Sequence, residues 1–290
     1  MSFNYEEFSQ RNIGFFTPEQ QEVLKKSKIF IPGVGGMGGT ALECLVRTGI
    51  QNFIIADIDT FEISNLNRQI FCDLSVIGKS KADSAKEQIL RINPDANIEV
   101  LDGRWISQMP EILGRVDVVI NGCDDHQSTI TLMRSAKTAG KTVIDAFAST
   151  LPNVYTVTAT DPRPEEFLGF PTTNNSLDNW SPDWQQQCVQ RETEYVLTHS
   201  STINHVVMKY ALEMVTGKRK RISMAPMVWM TGILMAYEAT KILLHQDGKA
   251  SCHGVFLNPY KYRFEKAQPR NPFRLIKRLL IKSWLKRQGT

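Results

Sequence analysis

Apolar and polar positions along the first half of the chain switch repeatedly between a strand pattern and a helix pattern. Lys28-Ile29-Phe30-Ile31 is a short β-rich run ending at Pro32 and a glycine cluster. Residues 37–48 then predict a helix, with Leu42, Leu45 and Val46 at helical spacing and Gly49 as its stop. Phe53-Ile54-Ile55-Ala56 predicts a second strand, ending in Asp57-Ile58-Asp59, and Ser80 to Ile92 a second helix closed by Asn93-Pro94. Strands follow at Ile98-Glu99-Val100, Val116 to Ile120 and Thr142-Val143-Ile144, with a helix near 128–139 before the last of them. Continuous apolar strands between amphipathic helices imply a mainly parallel sheet covered on both faces, so the expected fold is a Rossmann-like, doubly wound α/β domain.

The pattern changes after residue 150. Asn153 to Thr158 alternates like a strand with one solvated face, and 254–265 reads as a strand pair, extending the sheet with antiparallel strands. Residues 161–200, rich in Pro, Asn, Asp, Gln and Trp, read as a long crossover excursion, and 202–216 and 225–245 as helices. The most apolar stretch, Ile222 to Tyr237, falls short of the roughly 20 residues a membrane span needs and reads as a buried helix.

The 290 residues are 42% hydrophobic and 22% charged, which is ordinary globular usage and excludes disordered or fibrous classes. The net charge of +4 is unevenly placed: residues 270–290 carry seven basic groups and no acid, leaving the remainder slightly acidic. A nucleic-acid partner is therefore not expected of the body. The five cysteines, Cys44, Cys72, Cys123, Cys188 and Cys252, form no C-x-x-C pair, so neither a disulfide framework nor zinc is expected. The opening MSFNYEEFSQ lacks the apolar stretch of a signal peptide, and a cytoplasmic enzyme is expected.

Candidate chemistry begins at Gly33-Val34-Gly35-Gly36-Met37-Gly38-Gly39, between a strand and a helix. Glycines there let the backbone turn and approach phosphates, and the helix start offers free N–H groups. Asp57, 19 residues after Gly38, is placed to accept hydrogen bonds from a ribose. The loop and this acid alone do not separate NAD(P)-dependent dehydrogenases from other nucleotide enzymes. Downstream, Asn65, Asn67, Arg68 and Gln69, with Lys81 at the next helix start, supply cations and amides suited to a triphosphate and a departing pyrophosphate.

With Asp57-x-Asp59, Ser64-Asn65-Leu66-Asn67-Arg68-Gln69, Gly78-Lys79-Ser80-Lys81 and Ile92-Asn93-Pro94, the chain resembles the ThiF/MoeB group, bacterial relatives of ubiquitin-activating enzymes, over roughly residues 5–160 and weakly over Gly232 to Leu244. The resemblance implies a homodimeric adenylyltransferase that uses ATP and Mg²⁺ to join a carboxylate to AMP. It implies that Gly36 contacts the nucleotide, Asp57 the ribose, and Asn65, Asn67 and Arg68 the nucleotide and its phosphates. Lys81 would hold a phosphate and Asp124 the magnesium, while Arg11 would reach the triphosphate from the partner subunit. The implied substrate is a sulfur-carrier or ubiquitin-like C-terminus, or a precursor peptide. An RNA-modifying dehydratase of the same superfamily and a non-catalytic nucleotide-binding scaffold are the alternatives.

The chain departs from the family pattern in lacking the two zinc-binding C-x-x-C pairs, and in carrying Asp125 and Thr129 where Asn and Arg are usual. Asp125 puts an extra negative charge beside the magnesium acid, and His126 reads as a helix-start residue. Cys188, alone in the excursion, is the candidate acyl acceptor if its thiolate is exposed and low in pKa. Residues 1–268 are expected to form the adenylation domain, with a basic amphipathic helix over 269–290. That helix carries Phe273, Ile276, Leu280 and Trp284 on one face, to pack on the dimer or to meet an anionic membrane or acidic peptide.

Overall fold

Strand β1 (Lys28–Pro32) is the middle one of five parallel strands in an eight-stranded sheet, and the chain winds outwards from it to both sides. Helices α1 (Tyr5–Ser9) and α2 (Pro18–Lys26) precede it, the latter opened by a capping box between Thr17 and Gln20 with Pro18 at its first turn. After β1 come α3 (Gly36–Arg47), β2 (Asn52–Ala56), α4 (Lys81–Ile92), β3 (Asn97–Leu101) and α5 (Met109–Gly114). The chain then crosses to β4 (Val118–Ile120), α6 (His126–Thr138) and β5 (Thr142–Asp145). These five strands pair in parallel, in the order β3-β2-β1-β4-β5.

The second half adds β6 (Asn153–Val157), antiparallel to β5, then α7 (Pro164–Leu168), α8 (Pro182–His199), α9 (Met208–Val215) and α10 (Ala225–Leu243). The hairpin of β7 (Val255–Asn258) and β8 (Arg263–Lys266) ends the sheet, and α11 (Pro272–Arg287) ends the fold. The computed structural model describes residues 3–268 and 271–287; of the basic tail, Arg270, residues 288–290 and the Lys286 side chain lie outside the described set.

Successive residues of β1 feed opposite cores, as the two-residue period of a strand requires. Ile29 and Ile31 join Leu42, Leu45, Ala85 and Met235 under α3, α4 and α10, whereas Phe30 joins Trp105, Ile112 and Met133 under α5 and α6. The apolar run 222–237 is the body of α10, which packs on α3; no helix among the described residues is long and apolar enough to cross a membrane.

Three elements differ from the sequence reading. Strand β6 has no solvated face: Val154 packs in the α10 core and Tyr155 and Val157 in the other, so every residue is buried. The excursion is largely helical, with the 18-residue α8 capped by Ser181 and opened by Pro182. Its pattern is hard to read locally because it buries the carboxylates of Glu192 and Glu194, whose partners lie far away in the chain. Helix α11 is present, and its basic side is the one docked on its own chain. Arg274, Lys277 and Arg278 face α8, whereas Phe273, Ile276, Leu279 and Leu280 are exposed.

Candidate active site

The sheet reverses its winding between β1 and β4, which opens a crevice at their carboxyl ends, the usual ligand position in such folds. Gly33, at φ +86°, turns the chain out of β1, and its N–H donates to Ala56 O at 2.7 Å. Gly122 turns the chain out of β4, and a Cβ on either glycine would collide with the backbone of the other. This pairing brings the loop before α3 against the loop before α6. Gly38 serves the same turn: a Cβ there would meet the Gly33 carbonyl, so Gly38 packs the loop and does not line the crevice.

A cavity of about 440 Å³ opens from this crevice. Among the predicted residues, Gly33, Gly35, Gly36, Asp57, Asp59, Arg68, Gln69, Lys81 and Asp124 line it. Asp57 Oδ2 accepts from Val34 N–H at 2.9 Å and Oδ1 from Asp59 N–H at 3.0 Å, so the acid both ties the glycine loop and faces the cavity. Burial raises its pKa above the ordinary carboxylate value against these hydrogen bonds and the charge of Lys81.

Lys81, in the first turn of α4, is buried and pairs with Asp59 at 2.8 Å. Arg68 is braced from both sides: its Nη1 donates to Ser64 O and Asn67 Oδ1, each at 2.9 Å, and its carbonyl accepts from Trp229 Nε1. Gln69 is 7% exposed, and its Oε1 has no hydrogen-bond partner among the described residues. An acceptor left so inside a cavity wall is costly unless a ligand supplies a donor. Asp124 is exposed at the β4 end. Asp125 caps α6 instead, its Oδ1 accepting from Ser128 N–H at 2.7 Å, which accounts for its charge beside Asp124.

Besides Gly38, four predicted residues lie outside the lining. Asn65 is buried and closes a turn by accepting from Glu62 N–H, and Asn67 bridges Ser223 O to Arg68. Arg11 is exposed on a short 3₁₀ turn away from the cavity. Cys188 is fully buried in the α8 core, and burial pushes its thiol up to about 12. That is a correction to the sequence reading: a thiol in this setting is neither exposed nor ionised at neutral pH, as an acyl acceptor must be.

The tertiary structure adds residues the sequence reading passed over. Asp145, at the end of β5, is buried in the cavity wall. It accepts from Tyr155 OH at 2.6 Å, Asn121 Nδ2 at 3.0 Å and Ala146 N–H at 2.6 Å. Burial raises its pKa to about 6. Thr129 supports the same group, its hydroxyl accepting from Asn121 Nδ2 at 3.0 Å. Glu192 accepts from Ala148 N–H and pairs with His126 Nε2 at 3.0 Å, so His126 acts as a strut between α6 and α8. Burial opposes ionisation of Glu192, but the bond and charge of His126, the Ala148 N–H and the charge of Arg221 together hold the carboxyl below its ordinary value. Arg221 also reaches the lining. The available signals were an acid at a strand end, as for Asp57, and the last cation of the run Lys218 to Arg221.

The ThiF family model matches residues 9–275. A probable molybdopterin-synthase adenylyltransferase of Porphyra purpurea is 39% identical over 132 residues, covering 44% of this chain and 35% of the relative. A sulfur carrier protein adenylyltransferase of Thermus thermophilus is 30% identical over 128 residues, 44% of this chain and 47% of the relative. A tRNA threonylcarbamoyladenosine dehydratase of Bacillus subtilis is 40% identical over 118 residues, 40% of this chain and 46% of the relative. The chain thus matches less than half the length of these relatives. Among solved structures, selenomethionine PaaA superposes with a TM-score of 0.62 at 20% identity, over 91% of this chain and 83% of that one. E. coli MccB with succinimide does so with a TM-score of 0.65 at 17% identity, over 93% and 73%. These likenesses show a shared fold.

Proposed function

This chain belongs to the ThiF family, and from that premise we propose that it is an ATP-dependent adenylyltransferase acting on a carboxylate of a polypeptide. The observation that carries the reading is the grouping of Arg68, Lys81 and Asp124 in one cavity with the glycine loop and Asp57. A nicotinamide cofactor needs only the loop and the ribose acid, whereas a triphosphate needs the fixed cations as well.

In this reading the N–H groups at the start of α3 face the phosphates and Asp57 accepts from the ribose. The unpaired Gln69 Oε1 takes a donor from the nucleotide. A carboxylate oxygen of the substrate attacks the α-phosphorus; the new O–P bond forms as the bond to pyrophosphate breaks. Arg68 and Lys81 take up the negative charge that grows on the leaving group. Asp124, an exposed hard-oxygen donor, fits the one-carboxylate mode by which Mg²⁺ accompanies nucleotide phosphates, supplying further charge neutralisation. The enzyme works as a homodimer in the cytoplasm, with Arg11 supplied across the subunit interface.

The test is ATP–pyrophosphate exchange with candidate carboxylates: a carrier protein ending in Gly-Gly, and short peptides. Stabilisation against heat by ATP with Mg²⁺ but not by NADH separates the reading from a dehydrogenase. ATP binding without exchange on any carboxylate would leave a nucleotide-binding scaffold. The Bacillus subtilis dehydratase relative favours a second reading, carboxylate activation on a modified tRNA nucleoside. Exchange that depends on tRNA and not on a polypeptide would support it.

A further inference from the structure

The nucleotide residues occupy only one end of the cavity. Asp57, Gly33 and Asp124 follow β2, β1 and β4 in sheet order; beyond them come β5 with Asp145, and then the helices of the second half. The second half contributes a set of apolar side chains to the lining: Ile203 before α9, Met208, Leu212 and Val215 on α9, and Trp284 and Leu285 in the last turns of α11, beside the polar Glu192 and Arg221.

Helix α11 is held there by its charges. Arg274 Nη1 and Lys277 Nζ donate to Thr198 O at 2.8 and 3.0 Å, and Lys277 also to Ser200 O. These carbonyls belong to the end of α8, where unpaired acceptors and the helix dipole both favour cations. One turn on, Arg278 Nε donates to Glu194 Oε1 at 2.6 Å. Continuing along that face, the helix delivers Trp284 and a buried Leu285 to the cavity. The clamp therefore explains why a basic helix presents apolar groups inwards at its end.

We propose that the activated carboxylate bears a bulky apolar group, and that α9 and the end of α11 form the chamber that receives it. The proposal rests on the adenylation reading and extends it from reaction to substrate class. The chamber is continuous with the nucleotide end, so a group entering it is attached to the carboxyl being activated. A Gly-Gly terminus would leave these walls uncovered. Met208, Met214 and Met227 in the lining are unbranched and repack readily, so the chamber accepts several apolar shapes. One methylene in such a pocket is worth roughly tenfold to two hundredfold in kcat/KM.

The experiment measures ATP–pyrophosphate exchange by the full chain with peptides that differ only in a terminal Gly, Leu or Phe. Leu and Phe termini should exceed Gly by tenfold or more in kcat/KM. Trp284→Ala and Leu212→Ala, from two different helices, should each lower that ratio at least fivefold with KM for ATP unchanged within twofold. Leu279→Ser, on the exposed face, should leave it unmoved. Equal use of the Gly peptide, or a ratio indifferent to both wall variants, overturns the proposal. If ATP binds but neither these peptides nor any other carboxylate supports exchange, the adenylation reading fails. Calorimetric titration with the same peptides then still decides the chamber, since affinity independent of the terminal residue overturns it.

Discussion

Lys81 Nζ lies 2.8 Å from Asp59 Oδ2, and the two side chains differ sharply in exposure, 9% for the lysine and 64% for the acid. The lysine is therefore held dehydrated at the cavity wall by a partner that solvent can reach. The α4 backbone repeats the link, with Lys81 N–H donating to Asp59 O at 3.0 Å. A phosphate entering the cavity can replace Asp59 at the ammonium without the lysine having to be ordered first.

Removing that charge should act on the chemical step. Lys81→Ala and Arg68→Ala are each expected to lower ATP–pyrophosphate exchange by about a hundredfold or more, the scale of a lost transition-state contact. Exchange near wild type in both variants would refute the assignment.

The backbone contact between Gly33 and Gly122 leaves no room for a methyl group. Gly122→Ala should destabilise the fold by about 1–3 kcal/mol, as overpacking does. Thermal unfolding measures the loss, and a variant as stable as wild type would show that the two loops part easily.

Asp145 gives a pH dependence with a definite sign. Its folded pKa, about 6, lies above the ordinary aspartate value of 3.8, so the folded state binds its proton more tightly than the unfolded chain. The penalty for ionising it is absent below about pH 4, grows as pH rises, and is complete above about pH 6, where it reaches about 3 kcal/mol. Asp145→Asn removes that titration. The stability of the variant relative to wild type should therefore improve between pH 4 and 6, whatever hydrogen bond the amide loses. A difference flat across this range in denaturant titrations would contradict the buried position.

Cys188 packs as a small apolar side chain. Cys188→Ala should cost about 1 kcal/mol of stability and leave exchange within about threefold. The native protein should also resist iodoacetamide at this position. Rapid labelling, or loss of exchange in a folded variant, would return the residue to the chemistry.

Arg278 shields the buried carboxylate of Glu194. Arg278→Ala strands that acid and should cost about 1–3 kcal/mol. Limited proteolysis should then cut within α11 sooner than in wild type.

The strands and helices of the nucleotide half were legible because each satisfies a local rule. Buried parallel strands read as unbroken apolar runs, and α4 carries a cap at Ser80, whose side chain accepts from Asp83 N–H. The second half obeys no such local rule. Helix α8 hides Glu192 and Glu194, whose cost is offset by His126 and Arg278, 66 and 84 positions away in the chain. The direction faced by α11 was equally closed to periodicity. An amphipathic pattern says that two faces differ, not which one is docked, and the Thr198 and Ser200 carbonyls took the basic face.

The candidate site divides along the same line. The amino-acid sequence alone determined the kinds of group present, since the glycine loop, Asp57, Arg68, Lys81 and Asp124 announce themselves through short spacings tied to a strand end or a helix start. Only the tertiary structure decided which of them share a cavity. It brought Asp145, Glu192 and Arg221 in, and left Cys188 out. The physical reason is that a local spacing constrains one turn of backbone, whereas burial and charge pairing depend on segments that meet only once the sheet has closed.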